Sequence, residues 1–125
     1  MKKKMLVLLS MLLILQIACS VQAAENNPNY KDIQINKSNG SYVVTGEAKV
    51  RKGVFYYMVE NGHNILVPEK KVNVHNLSWT TFKLNILIPV EKLPKNGALI
   101  LYMYEKDKSS NVTDQHPIVL EKFNG

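Results

Sequence analysis

The chain has 125 residues, one cysteine and a formal charge of +6. That length holds a single domain whose core is large enough to fold without a disulfide or a structural metal, and a lone cysteine excludes an internal disulfide. The positive charge is scattered rather than gathered into a Lys/Arg tract interleaved with aromatics, so no nucleic-acid partner is expected.

The first element in chain order is a leader. Lys2, Lys3 and Lys4 precede an almost unbroken apolar run over residues 5–18, the pattern of a secretory signal peptide. The run is shorter than the roughly 20 apolar residues that a membrane-spanning helix needs. Two endings compete. Val21-Gln22-Ala23 is a small-x-small site, with cleavage before Ala24, so that residues 1–23 are the signal peptide. Gln16-Ile17-Ala18-Cys19 resembles a lipobox, with Gln16 where an aliphatic residue is usual, and this ending would lipidate Cys19 and anchor the protein to the membrane. Either way Lys2 to Lys4 depart, which takes three from +6 and leaves +3. The predicted location is extracytoplasmic, either secreted or associated with the cell envelope.

Residues 24–32, with Asn26, Asn27, Pro28 and Asn29, read as a polar tether, and residues 33–123 as the folded domain. Ile33 and Ile35 alternate with polar residues ahead of an Asn39-Gly40 turn. Tyr42, Val44, Gly46 and Ala48 then share one strand face, and the small pair Gly46 and Ala48 predicts close approach of another backbone or a large side chain. A β-branched and aromatic run over residues 54–60 leads through Asn61-Gly62 into a strand over 64–67 that Pro68 is expected to end. Phe82, Leu84, Ile86 and Ile88 alternate with Lys83, Asn85 and Leu87, the clearest period of two in the chain. Trp79, just ahead of that strand, is expected to cap the edge of the core. Residues 89–97 read as a loop, 98–105 as a strand, 106–111 as a turn and 116–123 as the closing strand. Seven short strands without helical periodicity predict an all-β, immunoglobulin-like antiparallel sandwich, with a small barrel as the other closure.

Candidate chemistry is sparse. His63, His75 and His116 sit singly at predicted turns or strand ends, without the close spacing of metal ligands, so no metal is expected. Ser78, His116 and Asp114 can be assembled on paper into a triad, but no nucleophile-elbow pattern accompanies them. Glu60, Glu69, Glu91 and Glu105 are expected to be solvated, and the six glycines occur singly rather than in a phosphate-binding loop. Neither a catalytic residue nor a cofactor is therefore expected.

The sharpest feature is aromatic. With Phe55, Tyr57 and Val59 turned inward on one strand and Leu99, Leu101 and Met103 inward on another, the outward residues are Tyr56 and Met58 on the first and Ile100, Tyr102 and Tyr104 on the second. An immunoglobulin-like topology makes those strands neighbours, so these five residues are expected to merge into one exposed partner-binding patch.

The segments Val44-Thr45-Gly46-Glu47-Ala48, residues 53–62, 82–89 and 97–105, and Pro117-Ile118-Val119-Leu120 together span most of the expected domain. In these the chain resembles the immunoglobulin-like domain of bacterial spore germination and sporulation-associated envelope proteins. The resemblance implies an extracytoplasmic binding or scaffolding module and carries over no catalytic residues. Its implied partner is a protein or a cell-envelope polymer. A secreted inhibitor or regulator of an extracellular enzyme is the alternative, with residues 68–80 and 106–116 as its candidate loops.

Overall fold

A computed structural model of the protein describes residues 27–75 and 78–125. The leader, both of its candidate cleavage sites, Cys19 and the start of the tether lie outside the described residues. Among the described residues no helix is long and apolar enough to cross a membrane.

Period-two alternation in the sequence becomes seven strands: β1 (Tyr30–Ser38), β2 (Ser41–Ala48), β3 (Val54–Glu60), β4 (Ile65–Asn73), β5 (Thr80–Leu87), β6 (Gly97–Lys106) and β7 (Val112–Phe123). They form two antiparallel sheets, ordered β1-β2-β5 and β4-β3-β6-β7. This is the expected sandwich with immunoglobulin-like connectivity. One strand departs from the constant-type pattern, in which the fourth strand joins the first sheet. Here β4 stays beside β3, because the Asn61 side chain closes a tight hairpin by accepting from the backbone N–H groups of His63 (2.9 Å) and Asn64 (2.8 Å).

Alternate residues fill the space between the sheets. Tyr42, Val44 and Ala48 from β2, Phe55 and Val59 from β3, Leu84 and Ile86 from β5, and Leu99, Leu101 and Met103 from β6 are all buried in one cluster, while Lys83, Asn85 and Leu87 face solvent. Gly46 is the close approach its size predicts. A Cβ there would lie 2.7 Å from Ile33 Cδ1 and 3.0 Å from Phe82 Cζ. The Asn39-Gly40 pair forms a two-residue hairpin between Ser38 and Ser41, with both φ angles positive (44° and 84°), the twist that suits the flanking strands.

Several boundaries differ from expectation. Pro68 does not end β4, which continues to Asn73; β4 is a sheet edge, where a residue without an N–H removes no ladder bond. Residues 68–73 of the expected loop over 68–80 are therefore strand. β7 begins at Val112, four residues before the expected start, and β1 begins at Tyr30, inside the segment read as tether, because Tyr30 itself is a core residue. The loop over 89–97 holds a single 3-10 turn, Val90–Lys92.

Candidate functional site

The outer face of the four-stranded sheet gathers the aromatic residues that the sequence places there. β3 and β6 are neighbours, and their pairing sets Tyr56 opposite Tyr104, Met58 opposite Tyr102 and Glu60 opposite Ile100. Side chains directly opposite on one sheet face touch, so the five residues are one surface. Val119 and Pro117 on β7, opposite Ile100 and Tyr102, extend it, and both are exposed.

Exposure across this surface is uneven. Tyr56, Met58, Ile100 and Tyr102 are half-buried, but Tyr104 is only 3% exposed, contrary to the expectation that it joins an open patch. Three neighbours cover it. The Tyr56 ring stacks on the Tyr104 ring at 6.1 Å, the Tyr104 hydroxyl donates to Glu69 Oε1 at 2.6 Å, and Lys106 Nζ donates to Glu69 Oε2 at 2.5 Å. The Lys106 ammonium also lies 4.6 Å from the centre of the Tyr56 ring, within cation–π range. Tyr102 is held separately, donating to Glu60 at 3.0 Å.

These contacts set the charge states. The Lys106 and Tyr104 hydrogen bonds hold the Glu69 carboxyl below its ordinary range. Burial, then the bond to Glu69, pushes the Tyr104 hydroxyl up, and the bond to Glu60 does the same for Tyr102. The exposed edge of Tyr102 is thus held by Glu60, and the Tyr104 ring beneath Tyr56 is held by Glu69, so these two rings have few rotamers left to lose on contact.

At one end of this face a cleft of about 600 Å³ opens between Arg51, Lys52, Tyr56, Lys106, Glu105 and Asp114. Glu105 is buried, not solvated as a strand-end carboxylate is expected to be. It accepts from the Arg51 N–H at 3.0 Å and from Asn29 Nδ2 at 3.2 Å, tying the start of the domain to β6. Burial raises its pKa most, a hydrogen bond with Asp114 raises it further, and the Arg51 N–H opposes both. A carboxyl whose pKa is raised by folding costs stability above that pKa and stops doing so as pH falls through it. Glu105→Gln keeps an acceptor for only one of the two donors, Arg51 N–H and Asn29 Nδ2, so the expected result lies in the pH trend: the melting temperature of the variant minus that of the native protein should fall as the pH drops into the range where Glu105 itself takes up a proton. Thermal unfolding of both proteins across pH checks this, and a difference that grows toward acid contradicts it.

His116 is also buried, where an exposed turn histidine is expected. Its ring stacks on Tyr30 at 5.8 Å and its Nδ1 lies 3.2 Å from Asn27 Nδ2. The Tyr30 hydroxyl is buried without a hydrogen-bond partner, and burial pushes its pKa up. His63, His75 and Ser78 are exposed. Among the described residues no three His, Cys, Asp or Glu side chains are placed to hold a metal ion. Trp79 is half-buried at the sheet edge, with Lys31 Nζ 4.3 Å from its ring centre and Lys49 Nζ at 5.9 Å.

Tyr30, Glu105 and His116 carry no signal in the sequence, because their burial depends on contacts with segments far away in the chain, Phe55 for Tyr30, Asn29 and Arg51 for Glu105, and Asn27 and Tyr30 for His116. Asn27 and His116 are 89 positions apart. No family model, curated protein or solved structure matches the chain.

Proposed function

We propose that this protein is an exported, non-catalytic binding module of the bacterial cell envelope or spore, and that it meets its partner through the outer face of the β4-β3-β6-β7 sheet. The observation that carries this reading is the cross-strand set Tyr56–Tyr104 and Met58–Tyr102, an aromatic surface locked by its own carboxylates on a sheet face that no other described element covers. The amino-terminal leader supports the extracytoplasmic part of the reading, and the resemblance to spore germination envelope domains supports the partner class, a protein or an envelope polymer.

Tyr56 and Tyr102 are the residues to test, since Tyr104 is buried and its loss confounds binding with folding. Substitution of surface residues usually changes stability by about 0.5 kcal/mol or less, whereas an aromatic anchor at an interface is worth about 2 kcal/mol or more. Tyr56 and Tyr102 are half-buried and packed on their neighbours, so the double variant Tyr56→Ser with Tyr102→Ser is expected to keep the fold at a lowered melting temperature, and binding is compared at a temperature where both proteins are folded. Binding of the variant to envelope material should fall at least roughly 30-fold. Co-sedimentation with purified wall polymer, beside pull-down from envelope extract, measures this. Unchanged recovery with an intact fold removes the face from the reading.

The inhibitor reading has one observation in its favour. Asp107 Oδ1 accepts from the N–H groups of both Ser109 and Asn111 at 2.9 Å, which pre-shapes the loop between β6 and β7 and holds Lys108 at an exposed tip. A pre-shaped loop loses little entropy on entering an active site. Failure to slow any of a panel of extracellular proteases retires that reading.

A further inference from the structure

A sandwich of two open sheets has four edge strands, here β1 and β5 on one sheet and β4 and β7 on the other. An exposed edge is a row of unpaired N–H and C=O groups, and stable monomers disrupt such rows with prolines, bulges or misplaced charges. Three of the four edges carry those devices. β1 is bulged between Lys31 and Gln34, with Asp32 at φ 55°. β4 contains Pro68, two irregularities in its pairing with β3, and Lys70 in register with the inward-facing Tyr57. β7 contains Pro117, two irregularities and Asp114 at φ 52°.

β5 is different. All eight of its residues pair with β2 without a register shift, it contains neither proline nor glycine, and the one device it carries is a single edge charge, Lys83. The Ile88 N–H bonds the Gly40 carbonyl at 2.8 Å, which fixes the parity of the ladder: even-numbered residues address β2 and odd-numbered ones address the free edge. The free groups therefore belong to Thr81, Lys83, Asn85 and Leu87, all exposed, with Leu87 at 76%.

We propose that β5 is a self-association edge, pairing antiparallel with β5 of a second copy about a two-fold axis at Leu84. The register follows from overlap, parity and charge: among axes that keep the parity, those at Lys83 and Leu84 pair seven residues of β5 in each copy and every other axis pairs fewer. Free-edge residues must face free-edge residues, and an axis at Lys83 would set two ammonium groups against each other, a like-charge pair that destabilises a sheet. An axis at Leu84 sets Lys83 against Asn85 of the second copy and Thr81 against Leu87, and brings the two Leu84 side chains together across the axis. Such an interface is isologous and closed, so it yields a dimer rather than a fibre. The two three-stranded sheets become one of six strands.

The axis is perpendicular to that sheet, so both aromatic faces of the dimer look the same way. This last consequence rests on the proposed binding face; the pairing itself does not. Two faces turned in one direction engage a polymer or a surface bivalently, with the second contact made at high effective concentration.

Sedimentation velocity of the purified protein over a range of concentrations tests the pairing. A reversible monomer–dimer equilibrium is expected. Asn85→Glu sets a carboxylate against Lys83 of the second copy twice per dimer, and Asn85→Lys sets an ammonium there twice. The dissociation constant should therefore fall in the first variant and rise in the second, each by roughly 2- to 30-fold at low salt. Asn85→Pro removes a free-edge N–H without touching the β2 ladder and should abolish the dimer, with circular dichroism reporting the fold. Should the proline variant unfold, the Glu and Lys variants decide alone, since exposed polar replacements leave the strand intact. A protein monomeric at every concentration overturns the proposal, and so does a dimer indifferent to the charge at position 85. Wall-polymer binding by the Tyr56 and Tyr102 variant is read separately, so a failed face and a failed edge are distinguishable.

Discussion

Leu84→Ala is expected to lower the unfolding free energy by about 2 to 5 kcal/mol, a large share of the roughly 5 to 15 kcal/mol that a domain has in all. Leu84 is 3% exposed and lies on the regular strand β5, between the buried Phe82 and Ile86. Truncation removes apolar atoms from a close-packed layer that neighbouring strands hold in place, so the transfer loss is joined by the cost of the cavity left behind. Asn85, one residue along, is exposed and should tolerate Ala with a change of about 0.5 kcal/mol or less. Chemical denaturation of both variants, at a concentration where the protein is monomeric, measures the contrast. Equal losses at the two positions contradict the assignment of inner and outer faces.

Gly40→Ala is expected to cost about 2 to 4 kcal/mol, from a left-handed backbone and a lost hydrogen bond together. Gly40 sits at φ 84° in the hairpin between β1 and β2, and a Cβ built there lies 2.3 Å from the carbonyl oxygen of Ile88. That oxygen is backbone at the end of β5 and cannot swing aside as a side chain does. The turn must shift instead, and with it the 2.8 Å bond from Ile88 N–H to the Gly40 carbonyl. Gly62 is the control. Its φ is 95°, but its Cβ position is open, with nothing within 4 Å, so Gly62→Ala should show the backbone strain alone and lose less. Thermal or denaturant unfolding of the two variants separates the terms, and equal losses mean that the contact with Ile88 contributes nothing.

The candidate binding face is half legible in the sequence. Which residues of β3 and β6 point outward follows from alternation, and their pairing into one surface follows from the order of strands in an immunoglobulin-like sandwich. How much of each ring reaches solvent does not. Tyr102 and Tyr104 occupy equivalent positions in the pattern, yet Tyr104 is covered because Glu69, 35 positions away on β4, accepts from its hydroxyl and draws in Lys106. Glu69 stands there only because β4 runs on past Pro68.

Strand faces and turns are local properties, and the amino-acid order is enough to assign them. A period of two, read in Phe82 to Ile88 or Tyr42 to Ala48, separates inner from outer faces because successive strand side chains point to opposite sides whatever lies around them. Asn39-Gly40 defines a hairpin because few other residue pairs accept two positive φ angles at low cost. Other features emerge only in the folded chain: that β4 joins β3, that Tyr30 opens β1 from inside an asparagine-rich segment, and that Glu105 and His116 are buried. The last three depend on partners tens of residues away, Asn29 to Glu105 and Asn27 to His116 among them. A polar side chain's burial is set by the partners that compensate its lost hydration, and those partners adjoin it only once both sheets have closed.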